Sequence, residues 1–412
     1  RQGPGATHRA PAAGHVITTI PIIPIAVPPA PTLAGSGLAM PPPLALYVHW
    51  PWCVKKCPYC DFNSHESRGG IGDENEAAYL AALIADLEAA LPQIWNRPVI
   101  SVFIGGGTPS LMRAETAEAL LAAIRMRLPL HPGAEITLEA NPGTAEAAKF
   151  AAFRAAGVTR LSIGVQSFDD AKLQALGRIH DSAEALRAIE MAQRHFERVN
   201  LDLMYALPQQ TLAAAEADIA AAIRSGVGHV SAYHLTLEPN TPFHHAPPPL
   251  PDDDLAADMQ EMAEAILVAA GYEHYETSAF ARPGQQCRHN LNYWTFGDYL
   301  GLGAGAHSKV GRRREARPRN PRDYLANPVS RDWQPIAPED LPGEFMMNAL
   351  RLAEGFPPAL FDARTGLPLS ILVEELRKAE QDGLLETSPL RIAPTPLGRR
   401  FLNVLVGRFL GG

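Results

Sequence analysis

Cysteine is scarce in this sequence, with four residues in 412, too few for a secreted fold held by disulfides. No uninterrupted apolar run of about 18 residues or more is present, so no stretch reads as a bilayer-spanning helix. Positive charge is not in excess. The 36 Lys and Arg face 44 Asp and Glu, a formal charge of -8, and that balance recommends no nucleic-acid partner. Charged residues make up 19% and apolar ones 46%, the proportions of a globular chain rather than a disordered or fibrous one. The length allows two or three domains, or one barrel with an appendage.

What cysteine there is clusters. Cys53, Cys57 and Cys60 fall within eight positions, a grouping that reads as metal ligation in a reducing compartment, hence a cytoplasmic location. The segment 1–43 contains "ITTIPIIPIAVPPAPTLAGSGLAMPPP". Its recurrent prolines exclude a signal-peptide helix and predict a disordered Pro/Ala-rich lead-in.

From Leu44 onward, short β-rich runs alternate with Ala- and Leu-rich helical stretches, the mark of repeated βα units on a parallel sheet. Strands are expected at 44–50, 99–105, 135–140, 160–166, 199–206 and 229–238. Several intervening helical patterns close on glycine, as at Gly157 and Gly226, where a helix end favours a residue that tolerates positive φ. The polar or unusual residues gather at the C-terminal ends of the strands, the end that carries chemistry in a parallel α/β barrel. The fold class is therefore α/β, a partial (β/α)6 barrel over 44–240. An extension follows over 241–337, entered through "PNTPFHHAPPPLPDDD", and then a small helical or winged-helix-like domain over 338–412.

In "WPWCVKKCPYCDF" the three thiols stand at i, i+4 and i+7, beside Lys55 and Lys56. Thiolates are the soft ligands an iron-sulfur cluster requires, and nearby positive charge favours their ionised form. A ferredoxin cubane takes four cysteines, and structural zinc closes four ligands in paired CxxC spacings. Three leave one iron open. Cys287 is either a distant fourth ligand or an inert buried thiol.

This CxxxCxxC triplet resembles the motif by which radical SAM proteins hold a 4Fe-4S cluster, with S-adenosylmethionine chelating the fourth iron. The resemblance extends to "FIGGGTPS" with Gly106, Gly107 and Thr108, similar to the element placed beside the methionyl amine, where absent side chains admit the ligand. It also covers Glu139 in "LEANP", Gln166 in "GVQSF", Arg178 in "LGRIH" and Asp202 in "LDLMYALPQQT". In the branch containing coproporphyrinogen dehydrogenase and HemW, matching residues contact S-adenosylmethionine. Each also has a plainer reading as a rim charge, cap or surface residue. Tyr47 and Tyr59 are either cofactor contacts or core aromatics.

The string "HNLNYW" (289–294) resembles the HNxxYW signature of the HemW branch, and the triplet continues with Asp61 and Phe62 where the dehydrogenase carries a further Cys. The resemblance, spanning about Leu44 to Phe409, implies a haem chaperone. Such a protein binds haem and passes it to acceptor proteins, some of them respiratory, without porphyrinogen oxidase activity. The alternative is an oxygen-independent coproporphyrinogen III dehydrogenase that converts propionates to vinyls by radical decarboxylation. Under the first reading His289 is the candidate haem ligand, since imidazole is a normal axial donor; otherwise it orders its segment. Arg312, Arg313, Arg314, Arg317, Arg319 and Arg322 form the one basic run, either a solvated loop or a contact for tetrapyrrole propionates.

Overall fold

The structure, a computed structural model, describes Leu38 and residues 40–67, 71–143 and 147–410. Most of the expected lead-in, residues 1–37 and 39, lies outside the described residues. Six strands follow close to the expected positions: β1 (Leu44–Trp50), β2 (Val99–Gly106), β3 (Leu130–Ala140), β4 (Arg160–Gln166), β5 (Arg198–Tyr205) and β6 (His229–His234). They lie parallel and in chain order. Both faces are covered over much of their length, so β1 reads as a nearly continuous apolar run rather than an alternation.

The crossovers carry α1 (Asp73–Ile94), α2 (Ala114–Arg127), α3 (Phe150–Ala156), α4 (Ser182–His195) and α5 (Leu212–Ser225). Gly157 and Gly226 end α3 and α5 at φ 108° and 75°, as their positions predicted. Asp181 and Glu184 form a capping box at the start of α4. Among the described residues α1 is the one helix long and apolar enough, by length and composition, to cross a membrane, a feature the run-length reading did not register. Here it packs Tyr79, Leu83, Leu87 and Ile94 into the main core.

After α6 (Asp253–Ala269) the sheet grows from both ends. Strands β7 (Glu273–Glu276) and β8 (Ala279–Ala281) add antiparallel beyond β6. The helix α7 (Arg288–Trp294), formed by the HNLNYW string, precedes β9 (Asp298–Leu302), a seventh parallel strand on the free edge of β1. Three antiparallel strands complete that side: β10 (His307–Val310), β11 (Arg313–Ala316) and β12 (Asp332–Pro335). The result is an open twelve-stranded sheet.

The basic run is thus neither a solvated loop nor an open anion site along most of its length. Arg313 and Arg314 lie on β11, and Arg314 grips Glu344 with two bonds of 3.0 and 2.8 Å. Arg317 is fully buried against Asp86 of α1 at 3.2 Å, with Arg331 and the Tyr324 hydroxyl on the same carboxylate. Ion pairing of this kind converts apparent surface charge into internal structure.

The C-terminal part has its own core, built on Phe345, Phe356 and Phe361, whose rings meet edge-on at 5.0 and 5.2 Å. Its helix Val373–Gln381 leads into an antiparallel ladder of β13 (Leu385–Thr387) and β14 (Ile392–Pro394).

Candidate functional site

The C-terminal ends of β1 to β6 open onto a cavity of about 400 Å³. The cysteine loop crosses its mouth between two short strands, Trp52–Cys53 and His65–Glu66, which pair in parallel. Lys56 Nζ donates to the carbonyls of Phe62 and Ser64 at 3.1 and 3.2 Å, closing the loop on itself. The Asn63 amide fastens it to Ala304 and Arg319 at 2.9 Å each.

All three thiols line the cavity, each with a polar neighbour. The Thr108 hydroxyl donates to Cys53 Sγ at 3.4 Å, Arg178 Nη1 donates to Cys57 Sγ at 3.7 Å, and Ser64 Oγ stands 3.9 Å from Cys60 Sγ. Burial pushes the Cys53 and Cys60 thiols up and, at Cys60, outweighs the nearby Lys56. The lysines alone therefore do not ionise these two thiols; a bound metal would. Among the described residues no three His, Cys, Asp or Glu side chains converge as a single metal ion requires. The three thiols that line the cavity are soft donors of the kind an iron-sulfur cluster requires.

The glycine element owes its composition partly to this loop. A Cβ on Gly107 would stand 2.5 Å from the Trp52 carbonyl oxygen, and one on Gly106 would stand 2.6 Å from His49. Gly106 also has φ 118°. Gly107 and Thr108 donate their backbone N–H groups to the carbonyls of Trp50 and Trp52 at 2.7 and 2.8 Å. The glycines thus dock the cysteine loop on β2 while still lining the cavity.

Glu139 and Asp202 project into the same space from β3 and β5. Glu139 accepts from the Gly106 N–H at 3.1 Å, and Asp202 accepts from Ser162 and Asn200 at 3.1 and 2.8 Å. Burial, then repulsion from Asp202, pushes Glu139 up to about 8. Burial also raises Asp202. Two buried carboxylates of this kind favour a cationic ligand group, such as a sulfonium or an amine.

Arg178 Nη2 donates to Asn141 Oδ1 and the Gly164 carbonyl at 2.7 and 2.8 Å, which aims its other nitrogen at Cys57. Gln166, at φ 70°, ends β4 and lines the cavity. Tyr59 also lines it, with its ring packed in an apolar cluster around Leu176, Met204 and Phe243. Tyr47 stands apart from the lining. Its ring stacks on Phe103 and its hydroxyl bonds His49 Nδ1 at 2.9 Å.

His289 is also elsewhere. The helix α7 closes the floor of the barrel, where the backbone N–H groups of Arg288 and His289 donate to Glu135 Oε1 at 3.0 and 3.4 Å. The His289 ring stacks on Phe103, and its nitrogens meet Ser101 Oγ and Tyr293 Oη at 3.0 and 3.2 Å. Burial, aided by Arg160, pushes it down to about 3, so the ring is neutral. Cys287, also buried, sits 3.6 Å from Glu135 and far from the cysteine loop. Asn141, Ser162 and Met204 also line the cavity, as do Tyr233, His234, Thr236 and Glu238 at the end of β6. Only their place at strand ends marked them.

The sequence model of the radical SAM superfamily matches residues 47–222, and that of the HemN C-terminal domain matches 336–401. "Heme chaperone HemW" of Escherichia coli (strain K12) is 47% identical over 375 residues, covering 90% of this chain and 98% of that protein. The protein of the same name from Mycobacterium tuberculosis is 37% identical over 391 residues, covering 91% and 97%. Among solved structures, coproporphyrinogen III oxidase (HemN) from Escherichia coli superposes with a TM-score of 0.76 at 23% identity, covering 90% of each chain. That likeness supports the fold. The identity with the HemW proteins along nearly their whole length settles the family: the chain belongs to the HemW family of the radical SAM superfamily.

Proposed function

We propose that this protein is a haem chaperone of the cytoplasm, which binds haem and transfers it to acceptor proteins, and which has no coproporphyrinogen oxidase activity. The observation that carries this reading is the 47% identity with a protein named as a haem chaperone, extending over 98% of that relative. The working parts would be the partial barrel of 44–240, the extension of 241–337 and the C-terminal unit of 338–412.

Cys53, Cys57 and Cys60 would hold a 4Fe-4S cluster, and S-adenosylmethionine would occupy the rest of the cavity. Such a cluster, when bound, supplies a low-potential electron to a sulfonium. The chain's own residues supply the setting. Thr108, Arg178 and Ser64 would orient the sulfurs, and such outer contacts tune a metal centre. Glu139 and Asp202 hold negative charge, or a proton, where a cationic group would lie. Gly106 and Gly107 keep the backbone close to the ligand, and Gln166 and Tyr59 close the sides.

The bonds on both nitrogens of His289 support the reading in which the HNLNYW string orders its segment. The test is anaerobic cluster reconstitution followed by parallel assays of haem binding, haem transfer to an apo acceptor, and coproporphyrinogen decarboxylation. Stable haem binding with transfer and no vinyl product is expected. Vinyl product at catalytic turnover would reject the chaperone reading in favour of the dehydrogenase.

A further inference from the structure

A second cleft, of about 700 Å³, lies between α6, the ends of β6 and β7, and the C-terminal unit. It shares a single residue, His234, with the cavity of the cysteine loop. His234 is the last residue of β6. Its ring meets Tyr205 edge-on at 5.6 Å and has no hydrogen-bond partner among the described residues. The side chain is exposed at the rim of both spaces, and the burial it does have lowers the imidazole pKa against the opposing pull of Asp253. A neutral imidazole with free nitrogens is the donor haem iron accepts.

The cleft walls suit a flat amphipathic ring. Ala257 of α6 lines the cleft together with Leu397, Phe401 and Leu402, beside the polar Asp253, Gln260 and His274, and Leu397 and Phe401 leave 46% and 49% of their surface exposed, apolar area that such a ligand would cover. Charge is placed at the rim. Arg399 and Arg400 are already matched across the cleft by Glu264 and Glu261, at 3.3 and 2.9 Å. Arg351 forms no ion pair among the described residues, and its guanidinium stacks on Trp294 of the HNLNYW helix at 5.1 Å. Its charge also acts on the buried Glu276, but it is the cleft arginine not held in an ion pair, and so the one placed to take a propionate.

Resting on the haem-binding reading above, we propose that this cleft is the haem-carrying site, with His234 as an axial ligand to the iron and Arg351 as a propionate contact. Haem bound there would lie beside the S-adenosylmethionine cavity, separated from it by one side chain. The signature helix would act on the ligand indirectly, by setting Arg351 through Trp294.

Hemin titration of the reconstituted full chain tests this, followed in the Soret and visible bands. The wild type is expected to show an imidazole-ligated spectrum. H234A should lose that spectrum and weaken binding at least tenfold, with added imidazole restoring the bands and cluster absorbance unchanged. A257W, which fills the cleft away from the iron, should also expel haem. Wild-type spectrum and affinity in both variants would overturn the assignment while leaving haem binding intact. A wild-type chain that binds no haem would instead reject the underlying haem reading.

Discussion

Replacing Glu139 with Gln removes a buried charge while keeping an oxygen to accept from the Gly106 N–H. In the folded chain Glu139 titrates at about 8, against an ordinary value of 4.5. The folded state therefore holds a proton that the unfolded state has released between those two values. Stability from this group is fully present below the unfolded pKa and declines as pH rises towards the folded one. At about 1.4 kcal/mol per unit the displacement sets a ceiling of about 5 kcal/mol. Water in the adjoining cavity screens the charge and brings the expected effect to about 2 kcal/mol. In denaturant unfolding of the cluster-free protein, E139Q should match the wild type near pH 5 and exceed it at pH 8.5 by that amount. An equal difference at both pH values would refute the reasoning.

Three further outcomes follow from the packing. Asp86→Ala removes the carboxylate that Arg317, Arg331 and Tyr324 share and leaves the buried Arg317 to pair with Glu315, at 3.5 Å; it should cost about 3 to 5 kcal/mol in denaturant unfolding, and a loss below about 1 kcal/mol would show that the pair adds little. Gly107→Ala places a methyl against the Trp52 carbonyl, so iron content after reconstitution should fall well below the wild-type value while far-UV circular dichroism stays the same. Phe345→Ala empties the C-terminal core and should destabilise by about 3 to 5 kcal/mol; an unchanged denaturant midpoint would place that core outside the cooperative unit.

The parallel strands were legible because their buried runs are short, apolar and separated by helical stretches, and β1 and β4 fall on the expected residues. The seventh parallel strand, "DYLGL", was not. It lies in a segment rich in glycine and aromatics, and only its pairing with β1 marks it as part of the barrel wall. The arginine-rich run misled for a related reason. Sequence shows Arg317 but not Asp86, 231 positions away, which makes it an interior residue.

At the site, residue types at strand ends identified most of the cavity lining. Direction was another matter: "HNLNYW" carries no sign of which way His289 points, and Glu135, which anchors its helix, sits on a distant strand. The glycines were read as room for a ligand. Their contacts with Trp50, Trp52 and His49 add a second demand, the docking of the cysteine loop. The end of β6 passed unremarked because Tyr233 and His234 have no motif around them, although they face the cavity.

In the proposed function, Cys53, Cys57 and Cys60 would hold a cluster whose remaining iron is open to S-adenosylmethionine. Electron paramagnetic resonance of the reduced, reconstituted protein, recorded with and without S-adenosylmethionine, distinguishes this arrangement from a closed cluster. A 4Fe-4S signal that changes when S-adenosylmethionine is added, and that is absent in C57S, is expected. A signal indifferent to S-adenosylmethionine, or a normal cluster in C57S, would contradict the arrangement.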